Sequence, residues 1–454
     1  IGAAMAGYER LLTNSALVGG AAGLLVGVAA QEVIGSLVSG LVQSFSLRYM
    51  AGTRRLRTFY ARLFGLTAIV LVLTAADHVV LFAAAWTAMG WILADLIGHL
   101  RNWPQARAAA RYARSFFLAG SLLLAGSLTL LATAADTWSI QEALAALGGL
   151  SPIVTWTAAI GIVGAAMIQS ALVPFNRWLL SSMTAPTPVS AFMHAGLVNA
   201  GGVLIARFAP LTFHEGTVTG IIVLVGGLSA LIGQAWMLVQ TDVKRQLGSS
   251  TVAQMGFMVL QCGLGFVAAA IAHLVLHGFY KAYLFLASGS AAERTPKPDP
   301  SPNSSALRTT VATVTAILGG LGFAALTGKS LTAMNSGTLL VFFVVMAVLH
   351  TTLLVLHRPS GFDATSVWLI PALVLPALAV YAAIYNGLSA LMVTVPMAEH
   401  PAPVTALHAA LAAIFLLAYV AFHRGWHRKS IRLYTALVNS SQPVGETILD
   451  QREQ

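Results

Sequence analysis

The chain has 454 residues, 57% of them hydrophobic and only 9% charged, with a mean hydropathy of +0.80; a soluble domain carries roughly 25% charged residues, so this is a polytopic membrane protein. Its net charge of +10 would suit a nucleic-acid binder, but the basic residues fall in loops between apolar runs, which is the positive-inside pattern and not a basic groove. The one cysteine, Cys262, excludes an internal disulfide and a cysteine-based metal cluster.

Apolar runs of spanning length lie near residues 14–30, 33–46, 60–76, 79–97, 115–135, 154–168, 189–208, 219–239, 252–266, 267–289, 309–326, 339–356, 367–385 and 404–422. A helix needs about 20 residues to cross the hydrocarbon core, so the pattern predicts an all-α bundle of about 12–14 transmembrane helices. Gln31 and Glu32 interrupt the first two runs. The chain divides into N-terminal helices and a loop (1–58), the bundle (59–422) with a Pro/Ser-rich loop inside it (291–308), and a tail (423–454). That tail is too polar to span and is expected to be disordered or docked on a partner.

The charges test this division. Arg48, Arg54, Arg55, Arg57 and Arg62 precede the run at 60–76, and Arg101, Arg107, Arg111 and Arg114 follow the run at 79–97. Lys244 and Arg245, then Arg294, Lys297 and Arg308, then Arg358, then Arg424, Arg428, Lys429 and Arg432 occupy later loops. If each run from 60–76 onward crosses once, all of them face the same side, while Asp77, Asp136, Glu142, Glu215 and Glu399 face the other. The positive side, and with it the C-terminus, is expected in the cytoplasm of a bacterial inner membrane. Arg207 sits at the edge of the other side, where it could snorkel.

Several polar groups fall inside the spans. Asp95 lies two turns past Thr87 on nearly the same face, and reads either as an intramembrane acid or as a residue at the cytoplasmic boundary. Gln169 and Pro174 suggest that the run at 154–168 is broken. Pro186 and Pro188 suggest a second break just before His194 and Asn199, or else a simple entry loop. Interrupted helices are tolerated in a membrane only when buried in protein or lining a wet cavity, and two of them around polar groups are a transporter feature. Ser249, Ser250, Thr251 and Gln254 could hold water. Around residue 328, G-K-S is no phosphate loop, because Phe323 stands where the first glycine is required. Lys329 is then either a second intramembrane amine or a helix-end lysine. His350 could extend a polar stripe or be a satisfied core residue.

The strongest signal is A-H-L-V-L-H-G-F-Y-K-A-Y-L-F-L-A-S-G-S over 272–290. His273, His277 and Lys281 recur every four residues, which puts two imidazoles and an amine on one helix face. Ionisable groups at that depth are expensive and mark ion paths; the bland alternative is a hydrogen-bonding triplet that glues helices together. His273 and His277 have H-x-x-x-H spacing, but no third ligand accompanies them, so a relay is a better reading than a metal site.

A-P-T-P-V-S-A-F-M-H-A, D-V-K-R-Q-L-G-S-S-T-V-A-Q-M-G-F-M, the 272–290 segment and R-Y-M-A-G with F-Y-A-R-L near 48–63 together resemble the proton-conducting antiporter-like subunits of respiratory complex I and of multisubunit cation/proton antiporters. The resemblance covers about residues 40–330. It implies two inverted five-helix repeats, each with a broken helix, and a central polar axis matched here by His194, His273, His277, Lys281 and Lys329. It also implies a Glu–Lys pair driving the first half-channel, at positions occupied here by Thr87 and Gln169. With that pair absent, Asp95 is a candidate substitute carboxylate. The compact length, W-P-Q-A-R-A-A-A-R-Y-A-R and R-L-Y-T-A-L-V-N resemble the DabB membrane-subunit branch of inorganic carbon transporters. That likeness implies a transporter subunit with no cofactor of its own. It also implies a large cytoplasmic partner of the DabA type, carrying a carbonic-anhydrase-like zinc site. Proton or sodium flow through the membrane subunit would drive one-way conversion of CO2 to bicarbonate in the partner. A pumping subunit of a complex I-like enzyme, a sodium/proton antiporter subunit and a non-conducting scaffold are the competing expectations.

Overall fold

The computed structural model describes residues 37–289, 306–356, 369–392 and 399–448. The run at 14–30, Gln31 and Glu32, Arg294, Lys297 and most of the Pro/Ser-rich loop, Arg358 and residues 449–454 lie outside the described residues. A helix over residues 37–49 (α1) leads into α2 (Leu56–Ala75), α3 (Val79–Ile97), α4 (Pro104–Ala134), the short α5 (Ile140–Ala145), α6 (Pro152–Gln169), the short α7 (Arg177–Ser181), α8 (Thr187–Ala195) and α9 (Ala200–Arg207). Then follow α10 (Gly216–Met237), α11 (Val243–Gly263), α12 (Val267–Leu286), α13 (Ala306–Thr327), α14 (Ser336–Leu356), α15 (Leu369–Leu391), α16 (Ala406–His423) and α17 (Ile431–Ser440). Among the described residues, extended pairing is confined to three isolated bridges.

Eleven stretches among the described residues are long and apolar enough to cross a membrane, with α8 and α9 counted together as Thr187–Arg207. Helix α11 is 21 residues long but opens with Lys244, Arg245 and Gln246, and it packs inside the bundle as a twelfth crossing. Its contact with α10 shows how. A Cβ on Gly256 would collide with the backbone nitrogen of Ala230, so the two backbones touch along a seam of small residues, as helices do where lipid supplies no hydrophobic drive to associate. Outward faces carry bare apolar side chains such as Leu122, Leu373 and Leu417, as expected of a surface solvated by acyl chains.

Loop contacts sort the hairpins onto two ends. At the acidic end, Asp77 accepts from the Ser139 hydroxyl at 2.5 Å and the Gln141 backbone at 3.0 Å. There Thr155 donates to Glu215 at 3.1 Å, and the His400 backbone N–H donates to the Gly265 carbonyl at 2.8 Å. At the basic end, Arg62 and Arg114 clasp Asp95 at 2.7 and 2.5 Å, and Lys244 Nζ donates to the Ala185 carbonyl at 3.2 Å. These are the two sides that the charge pattern separates. Arg207 does not reach outward: its guanidinium donates to the carbonyls of Leu73, Thr74 and Ala76 and covers the Phe82 ring, so it caps the end of α2.

Two expectations are corrected. Pro186 and Pro188 break no span. They lie at the N-cap and in the first turn of α8, where a missing N–H and a fixed φ cost nothing. The interruption comes later, at Gly196 and a tight turn over Leu197–Asn199. The tail is also not free through residue 448: it folds back on the basic end of its own bundle. There Trp236 Nε1 donates to Ser440 Oγ at 2.8 Å, Gln240 Nε2 to Ser441 Oγ at 2.7 Å, and the Val444 N–H to Ser181 Oγ at 3.2 Å. Polar anchors of this kind leave no mark in a composition-based reading of the tail.

Candidate functional site

The two interrupted spans lie against each other, and the polar side chains between them satisfy the freed backbone. After α6 ends, Trp178 Nε1 donates to the Ile168 carbonyl at 2.8 Å, and the Val173 N–H donates to Ser229 Oγ at 3.0 Å. Between α8 and α9, the Asn199 amide donates to the Ala195 carbonyl at 2.7 Å. Gln169 Nε2 donates to the Leu197 carbonyl at 3.1 Å, and Ser170 Oγ to the Val198 carbonyl at 2.7 Å. An unpaired backbone group in hydrocarbon costs several kcal/mol, so Gln169 acts first as a partner for the broken helix. A glutamine does this without introducing a charge.

Helix α12 approaches that break closely: a Cβ on Gly278 would lie 2.8 Å from the Ala195 carbonyl oxygen. This contact brings the stripe of α12 against His194 of α8. His194 and Lys281 have no exposed surface, and His277 is 5% exposed. His194 Nδ1 lies 3.0 Å from Thr251 Oγ1; Thr251 donates its hydroxyl proton to the Leu247 carbonyl at 2.9 Å; Lys281 Nζ donates to that same carbonyl at 2.9 Å. Because a threonine has one hydroxyl proton, His194 Nδ1 is the donor in this arrangement. Its Nε2 is left without a protein partner, as are both ring nitrogens of His277. The His194 ring stacks on Phe285 at 4.3 Å. His273 continues the stripe with its ring 5.9 Å from that of His277 and 5.7 Å from Phe257.

Three buried imidazole nitrogens without protein partners sit between ionisable neighbours. Buried polar groups are nearly always paired with protein or ordered water, so these three nitrogens are the places where ordered water is to be sought. The chemistry available is proton exchange: imidazole and amine side chains can each bind and release a proton, and a carbonyl and a hydroxyl fix their positions. Among the described residues, no three His, Cys, Asp or Glu side chains converge as metal ligands.

The other expected residues are elsewhere. Asp95 is held between two arginines at the basic end, its boundary position. Thr87 donates to the Ala83 carbonyl of its own helix at 2.8 Å and meets neither Gln169 nor the stripe. An apolar cavity of about 100 Å³ lies between α3 and α12, walled by Phe82, Trp86, Met89, Phe192 and Leu274, and its one titratable lining residue is Arg207. His350 faces Gln234 at 3.3 Å and the Tyr419 ring, away from the stripe. Lys329 follows the end of α13 and pairs with Glu399 at 3.0 Å, which is the helix-end position. Its neighbours Glu399 and Tyr385, and Tyr381 one turn from the latter, carry no motif. Two tyrosines four apart in an apolar helix were the available sign.

Comparison with known proteins locates this geometry. The sequence model for NADH:quinone oxidoreductase/Mrp antiporter, TM, matches residues 76–362. The chain belongs to that family. The matched region contains His194, Thr251, His273, His277, Lys281 and Lys329. Over 261 residues the chain is 40% identical to the probable inorganic carbon transporter subunit DabB of Bacillus anthracis, which is 56% of this chain and 50% of that protein. Over 263 residues it is 36% identical to NADH-quinone oxidoreductase subunit L of Escherichia coli, covering 56% and 43%. The chain spans about half the length of the curated relatives it matches. Among solved structures it is similar to the Mrp complex from Dietzia sp. DQ12-45-1b, with a TM-score of 0.57 at 27% identity, over 92% of this chain and 44% of that one.

Proposed function

We propose that this antiporter-family chain is the proton-conducting membrane subunit of a two-component inorganic carbon uptake system. The observation that carries the reading is the buried connection His194–Thr251–Leu247 carbonyl–Lys281, with His277 and His273 in register behind it. Protons enter from the acidic end, outside the cell, and pass along the imidazoles to Lys281. They leave toward the basic end, which faces the cytoplasm by the positive-inside rule and carries the C-terminus. The chain lies in the bacterial inner membrane and acts as a transporter subunit, not as an enzyme. Its partner at the basic end is a large cytoplasmic DabA-type subunit with a carbonic-anhydrase-like zinc site. Proton flow through the membrane subunit drives the partner's hydration of CO2 to bicarbonate in one direction. The DabB relatives support the carbon-uptake assignment, and the uncharged side chains at Thr87 and Gln169, each bonded to a backbone carbonyl, weigh against a self-sufficient pump.

The subunit L relatives support a second reading, a pumping subunit of a complex I-like enzyme or of a sodium/proton antiporter. One experiment separates the two. The chain is co-expressed with a cytoplasmic zinc partner in a host lacking carbonic anhydrase, and labelled inorganic carbon is followed. The expected result is accumulation that collapses with a protonophore and persists when quinone reduction is blocked. Accumulation absent under all conditions, with quinone-reductase subunits co-purifying, would sink the carbon-uptake reading.

A further inference from the structure

At the acidic end, three donors from two parts of the chain meet around one carboxylate. Glu399 accepts hydrogen bonds from Tyr385 of α15, from Ser389 one turn further along at 2.6 Å, and from Lys329 Nζ at 3.0 Å. Lys329 also sits over the rings of Phe266 and Tyr385, at 4.5 and 5.0 Å. The loop that carries Glu399 is fixed in place: Phe266 and Glu399 form a backbone bridge, and the next residue, His400, donates to the carbonyl of Gly265, whose φ of +84° suits glycine. Burial works to raise the Glu399 carboxyl, but the bonds from Ser389, Tyr385 and Lys329 and the Lys329 charge hold it below the usual carboxylate value. It is therefore an ionised acceptor that is 32% exposed at the outer edge of the bundle.

The cluster does not stop there. Tyr385 is 1% exposed, and Tyr381 lies one turn deeper on the same helix, both rings against Phe323. The Tyr381 hydroxyl accepts from Gln261 Nε2 at 3.3 Å and donates to the Ala269 carbonyl at 3.4 Å, while Gln261 Oε1 is buried without a partner. Ala269 is one turn, about 6 Å, from His273 on α12. Phe257, which touches His273, is likewise one turn from Gln261 on α11. A polar line thus runs inward from the acidic surface, one turn at a time, and ends on the stripe.

We propose that Glu399, Tyr385, Tyr381 and Gln261, with Lys329 beside the carboxylate, form the outward mouth of the proton path and deliver protons to His273. This rests on the reading of the His–Lys stripe as a proton path. Glu399 takes a proton from outside. Its bond to Tyr385 then reverses: the protonated carboxyl donates to the phenol oxygen, and Tyr385 passes its own proton to water between it and Tyr381. The same exchange at Tyr381 hands a proton to water held by the unpartnered Gln261 Oε1, and that water passes one on to the His273 imidazole. Each phenol gains one proton and loses one, so neither ends charged, and Glu399 returns to its ionised form. Lys329 lowers the cost of that ionised form and repels a second cation.

The test is proton uptake into vesicles containing the purified full complex, reported by an internal pH dye, for Tyr381→Phe, Tyr385→Phe and Glu399→Gln beside Lys281→Met. Tyr381→Phe removes one hydroxyl and keeps the ring, so the fold survives it. The expected result is about a 100-fold loss of flux in Tyr381→Phe and Glu399→Gln, the low end of what a lost proton-transfer group costs, with partner retention and melting temperature unchanged. Flux at the wild-type level in Tyr381→Phe, with Lys281→Met inactive, would overturn the mouth and leave the stripe standing. Flux intact in Lys281→Met as well would remove the underlying reading. Should Glu399→Gln fail to fold, because it unpins the 399–400 loop, Tyr381→Phe alone decides.

Discussion

Replacing Lys281 with methionine is expected to reduce proton flux through the reconstituted complex by about 100-fold, in the range of a removed general acid–base group, with the protein still folded. The side chain is fully buried and donates to a carbonyl that Thr251 already satisfies. Methionine is similar in size, and volume-conserving exchanges in a core usually cost less than about 1.5 kcal/mol. What disappears is the only group in that position able to hold and release a proton. Arginine is the sharper variant. It keeps the positive charge but does not deprotonate in a protein, so a relay fails with Lys281→Arg, whereas a purely electrostatic role would survive it. Flux measured with a pH dye under an imposed gradient checks both, and wild-type flux in Lys281→Arg would reject the relay.

Gly278→Val is expected to lower stability and proton flux together, because it wedges α12 away from the break between α8 and α9. Alanine in place of glycine in a helix gains up to about 1 kcal/mol from propensity, but here a Cβ already lies 2.8 Å from the Ala195 carbonyl oxygen. Overpacking costs about 1–3 kcal/mol, and the obstacle is backbone at a helix break, which cannot swing aside as a side chain can. The collision therefore outweighs the propensity gain, and valine adds two methyl groups to it. The expected result is a graded loss of melting temperature in detergent, small in Gly278→Ala and large in Gly278→Val, with flux falling in parallel as His194 and Lys281 are pushed apart. Equal melting temperatures for all three proteins would show that α12 does not rest on the break.

How much of this was legible in the sequence depends on how local the cause is. The spans were, because twenty apolar residues bounded by charges specify a crossing on their own, and α10, α12, α13 and α14 lie where their apolar runs lie. The stripe of α12 was legible because i, i+4 spacing fixes a face. The position of the break was not. Proline draws attention to 186 and 188, but the backbone gives way at Gly196, where Gln169, Ser170 and Asn199 arrive to take up the freed carbonyls. Two of those partners come from a different helix. The same limit hid the Thr251–Leu247–Lys281 link and the Glu399 cluster, in which Lys329 and its partner are 70 positions apart. Asp95 shows the converse: its sequence neighbourhood allowed an intramembrane acid, and two arginines from α2 and α4 settle it at the basic end.

A density map of the purified complex sharp enough to place ordered water around His277 tests the shared premise directly. The account predicts water within hydrogen-bonding reach of His277 Nδ1 and Nε2 and of His194 Nε2, linking them to Lys281. Side-chain carbon packed against all three nitrogens, with no solvent density between α8, α11 and α12, would contradict it.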